Sequence, residues 1–230
     1  MCSLGFIEQI EGLLGEGHYL PELLIVLREP HETDSRDNQI FWFKGEVAQR
    51  QCGGAIAKKT NSTATRFYNI YSILAKKLIE TEDEFVLRRC AYMNLHPFCG
   101  EEKAGNTYKR ILRELQELPL EESVKDTVDI RRNRDPREVA KHRISIIQRA
   151  IDNGVKNIIT TEDIYYVIRD KWSGCDEKSF FLPYKYKKQD QKKEFHVCWL
   201  GRNKETRLIS FRHPSCTSIS MEHLKELQIP

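Results

Sequence analysis

The sequence predicts an α/β protein: a three-layer α/β/α sandwich around a central, mainly parallel four-stranded sheet. Three observations lead there. Short apolar runs recur along the chain, amphipathic helical stretches stand between them, and the alternation repeats four times. Strands separated by crossover helices lie parallel, and a sheet so built is covered on both faces. With no internal repeat and no low-complexity segment, residues 1–230 are expected to form one domain.

The elements follow in chain order. Phe6, Ile7, Ile10, Leu13 and Leu14 share a helical face over residues 4–14, and Gly15 and Gly17 end that helix. The run from Glu22 to Leu27 is nearly all apolar, as in a strand buried on both faces. Residues 44–65 are polar, with Gly53-Gly54, and read as an excursion. Phe67, Ile70, Tyr71, Leu74 and Leu78 recur at helical spacing, and a second strand is expected from Phe85 to Leu95. Tyr108, Ile111, Leu112, Leu115 and Leu118 define another helix, and residues 119–138 a charged connection. A helix through Ala140, Ile144, Ile147 and Ile151 is capped by Asn153-Gly154. Val155–Thr161 is the third strand, with a helix from Glu162 to Asp170. Residues 173–200 read as a Lys- and aromatic-rich insertion, Arg207–Phe211 as the final strand, and Ile219, Met221, Leu224 and Leu227 as a closing helix.

Composition bounds the function. Charged residues make up 31% and hydrophobic ones 40%, and no apolar run is long enough to span a bilayer, so a cytoplasmic protein with no membrane partner is expected. The N-terminus has no signal-peptide pattern. Seven cysteines, an odd number at irregular spacing, fit reduced thiols in an intracellular compartment. No C-x-x-C pair occurs, so neither a metal site nor another cofactor is expected. A net charge of +3 argues for no partner by itself. Two segments are locally basic. Arg131–Arg143, with Arg131 and Arg132, carries six basic residues against two acidic ones, and Lys185–Lys193, with Lys187 and Lys188, five against one. Such runs either track phosphates or are solvated loops.

In an open α/β sheet, ligands sit beyond the carboxyl ends of the strands. The first strand runs into Arg28-Glu29-Pro30-His31, the second ends at Asn94, and the last delivers His213-Pro214 into a Ser/Thr-rich turn holding Ser215 and Thr217. Each has a plain structural role when taken singly: a turn, a strand terminus, a strand stop. Together their chemistry is complementary. An Asn side chain can read the edge of an amide-like base, and an aromatic from Phe41, Trp42 or Phe43 offers a stacking surface. Glu29 can orient a water, and His213 can donate to a developing oxyanion. Hydrolysis of an N-glycosidic bond needs these groups, because the sugar gains positive charge as the base leaves with negative charge.

These residues resemble the uracil-DNA glycosylase superfamily. In that family the first strand leads to a water-activating loop with an acidic residue, matched here by Leu27-Arg28-Glu29-Pro30-His31. A stacking aromatic follows, where Phe41-Trp42-Phe43 stands, and a base-reading Asn ends the next strand, as in Ala91-Tyr92-Met93-Asn94. The last motif is a His-Pro-Ser loop, matched by His213-Pro214-Ser215. The resemblance implies a glycosylase-like fold and a monofunctional DNA glycosylase acting as a monomer without a cofactor. Glu29 and His213 would then be catalytic; Phe41, Trp42, Phe43, Asn94 and His31 would bind the substrate base. Ser215, Thr217, Arg131, Arg132, Lys187 and Lys188 would contact DNA.

The chain departs from the family at three places. Arg28 replaces a small or amide residue, His31 stands where a Tyr excludes thymine in the most familiar branch, and Cys216-Thr217-Ser218 supplies no apolar wedge after His-Pro-Ser. These departures leave a second reading, a glycosylase-fold module that binds nucleic acid or a nucleotide without chemistry. A third, a phosphoryl-transfer enzyme, lacks its Gly-rich phosphate loop.

Overall fold

The computed structural model describes residues 22–27, 62–80, 82, 86, 90–94, 136–152, 154–172, 176–186, 189–201, 204–212 and 219–230. Their elements are β1 (Leu23–Leu27), α1 (Ser62–Leu78), β2 (Cys90–Asn94), α2 (Pro136–Asp152), β3 (Asn157–Thr161), α3 (Glu162–Lys171), β4 (Glu177–Tyr186), β5 (Gln189–Leu200), β6 (Thr206–Phe211) and α4 (Met221–Glu226). The expected helices over 4–14 and 108–118 lie outside the described residues.

One six-stranded sheet has the order β2-β1-β3-β6-β5-β4. Four strands, β2, β1, β3 and β6, run parallel, and β5 and β4 continue the sheet antiparallel. The four parallel strands are those the sequence predicts. The expected four-stranded sheet is nevertheless too small, because Glu177–Tyr186 and Gln189–Leu200, within the stretch read as an insertion, pair as β4 and β5. The reason is periodic. Phe180 and Leu182 on β4, and Phe195 and Val197 on β5, recur at every second position and bury one side of the ribbon. Lysine-rich composition obscures that period in the sequence. The second strand is also shorter than expected, starting at Cys90; the buried Val86 upstream sits in a short helical turn.

Alternation along β1 divides the core. Leu24 and Val26 join Ile158 and Leu208 beneath α2 and α3, against Ile147, Ile151, Ile164 and Ile168. Leu23, Ile25 and Leu27 face the other way, with Ile159, Ile209 and Phe211, against Ile70, Tyr71 and Leu74 of α1 and Leu224 of α4. Every β1 side chain is at most 5% exposed, so each contributes roughly 1.5–3 kcal/mol of burial. That two-sided burial is why β1 lacks the polar alternation of an exposed strand.

The turn from α2 into β3 is a Schellman motif. Gly154 has φ +85°, its N–H donates to Ile151 O at 2.9 Å, and Val155 N–H donates to Ala150 O at 2.9 Å. The left-handed backbone there suits glycine, as the Asn-Gly pair predicts. At the amino edge of the sheet, Asn157 (2% exposed) knits three elements together. Its Nδ2 donates to Leu78 O at the end of α1 (3.2 Å), its backbone N–H to Glu22 O (3.1 Å), and its Oδ1 accepts from Arg207 Nε (2.9 Å).

Candidate functional site at the carboxyl edge

The register sets the four parallel carboxyl ends almost level. Leu27 pairs with Asn94, Val26 with Thr160, and Thr161 with Phe211. The connection leaving β1 leads to β2 on one side, and the chain leaving β3 leads to strands on the other, so the two diverge between β1 and β3. This is a topological switch point, where open α/β sheets leave a crevice for a ligand.

Of the residues expected to form a site, Asn94 is the one with a described position. It is the last residue of β2, at this edge; its side chain lies outside the description. Glu29 and His213 follow two positions after the ends of β1 and β6 in the sequence, and both lie outside the described residues. So do His31, Phe41, Trp42, Phe43, Arg131, Arg132, Lys187, Lys188, Ser215 and Thr217. The structure sets the ends of β2, β1 and β6 along one edge of the sheet, with β3 between β1 and β6.

The described chemistry at the edge is polar and buried. Thr160, 0% exposed, has an Oγ1 with no hydrogen-bond partner. Its partner across β6, Ser210, is equally buried, and its Oγ accepts the His196 backbone N–H at 2.7 Å. Thr161 Oγ1 donates to Asp163 Oδ1 at 2.6 Å, and Glu162 and Asp163 place carboxylates in the first turn of α3. Those carboxylates already complement the helix dipole, which disfavours an anion site at that terminus.

Beside this edge, α3 and the hairpin share a network that the sequence reading missed. His196 Nδ1 lies 3.0 Å from Glu177 Oε1 and 3.4 Å from Ser179 Oγ. The other Glu177 oxygen accepts from Arg169 Nη1 at 2.8 Å. The Arg169 guanidinium also binds Asp170 and lies 4.7 Å over the Tyr166 ring. The His196 ring packs against both Tyr165 and Tyr166, with centroids 6.0 and 5.8 Å away. Burial would lower the Arg169 pKa, but the hydrogen bonds it donates to Asp170 and Glu177 outweigh it and raise the value. Burial, with Cys198 beside it, pushes the Tyr165 phenol up.

Ser179 and Glu177 meet the same imidazole nitrogen. A serine–histidine–acid relay requires one on each nitrogen, so this cluster is a scaffold rather than a nucleophile system. It could not be found from spacing, since its members span a helix and a hairpin read as an insertion. Among the described residues, no group of three or more His, Cys, Asp or Glu side chains is placed to hold a metal, and no helix is long and apolar enough to cross a membrane.

No protein-family model, curated protein or solved structure matches the chain.

Proposed function

We propose that the chain is a uracil-DNA glycosylase-like hydrolase that cleaves the N-glycosidic bond of a damaged or deaminated base in DNA, uracil first among them. The observation that carries this reading is the level carboxyl edge, with Asn94 at the end of β2 beside the end of β1. In the sequence Glu29 and His213 stand two positions beyond the ends of β1 and β6, strands of the same edge with β3 between them.

In this mechanism a nucleotide is flipped from its stack, and the base lies on the Phe41–Phe43 cluster, with Trp42 as the main surface. Asn94 hydrogen-bonds the base edge, and His31 lies along the pocket wall. Glu29 orients the attacking water and stabilises the positive charge growing on the sugar. His213, as a neutral donor, stabilises the departing base anion. Ser215, Thr217, Arg131, Arg132, Lys187 and Lys188 hold the flanking phosphates.

Base release from labelled single- and double-stranded oligonucleotides tests the proposal. The panel carries uracil, hypoxanthine, xanthine and oxidised or methylated pyrimidines. Release by the wild type that Asn94→Ala and His213→Ala both abolish is expected. Absence of release from every substrate overturns the catalytic reading.

Arg28 and the Cys216-Thr217-Ser218 sequence favour one alternative, a nucleic-acid-binding module without turnover. Glu29→Ala separates the two. An enzyme loses turnover with binding retained, whereas a binding module has no turnover to lose.

A further inference from the structure

We draw no further inference here: the strongest candidate, the exposed Phe181 on the open face of the β4–β5 hairpin, stands opposite Glu194 in register, and nothing among the described residues shows what covers it.

Discussion

His196 Nδ1 and Glu177 Oε1 meet at 3.0 Å across the β4–β5 hairpin, with Glu177 two residues along β4 from Ser179, the residue directly paired with His196. Because Glu177 also takes Arg169 at 2.8 Å, a single carboxylate ties both hairpin strands to α3. Its side chain is 31% exposed, so water screens each pair and exposed pairs contribute only ~0.2–1 kcal/mol.

Glu177→Ala should accordingly lower stability by about 1 kcal/mol, mainly by leaving Arg169 and His196 without their shared partner. Urea unfolding reads the change. A double-mutant cycle with Arg169→Ala should show coupling, and strict additivity of the two substitutions would remove Glu177 from the network.

A larger loss is expected at Asn157. Asn157→Ala leaves the Leu78 carbonyl and the Arg207 Nε without the partners they have at 3.2 and 2.9 Å, in a site 2% exposed. Leaving buried polar groups unsatisfied costs about 1–3 kcal/mol. A midpoint within experimental error of wild type in urea would mean that α1 and β6 are held at this edge by other contacts.

The parallel half of the sheet was legible because its strands are buried on both faces, and unbroken apolar runs such as Leu23–Leu27 announce themselves. Gly154 was legible for a different reason: Asn-Gly after an amphipathic helix has few other uses. The hairpin was not, since Phe181 and Pro183 flank its buried positions on β4 and the buried Cys198 follows Val197 on β5, so neither strand shows a clean polar period of two. Asn157 gave no signal either, because its partners are 79 and 50 positions away. The site stands between these cases. Strand ends follow from the apolar runs, and register then brings Asn94 level with Leu27, which no local pattern encodes.

Stability should fall in alkali. Burial raises the Tyr71 phenol above its ordinary 10.0, and burial with Glu22 nearby raises the Cys90 thiol above 9.0. The unfolded chain releases those protons at the ordinary values while the folded chain keeps them. Above pH 9 the unfolded state binds fewer protons, so the stability present below that pH is lost progressively as pH rises toward the folded values. Each such group contributes a slope approaching about 1.4 kcal/mol per pH unit. Tyr71→Phe should flatten the decline above pH 10, seen as unfolding midpoints between pH 9 and 11. A profile as steep as wild type would assign the alkaline loss to other groups.

Thr160 gives the opposite sign. Its Oγ1 is buried without a hydrogen-bond partner one residue before the end of β3, level with Val26 of β1 and Ser210 of β6. An unsatisfied buried hydroxyl costs free energy that folding alone does not recover. Thr160→Val keeps the β-branched shape and replaces the hydroxyl with a methyl, so stability should rise by about 1 kcal/mol. Because the residue stands at the switch point, the same variant bears on function. A gain in stability together with weaker base release or weaker oligonucleotide binding would assign the hydroxyl to the ligand crevice. A gain with both unchanged would make it a structural defect without a role. A loss of stability would mean that the hydroxyl is satisfied in solution, and the orphan reading would fall.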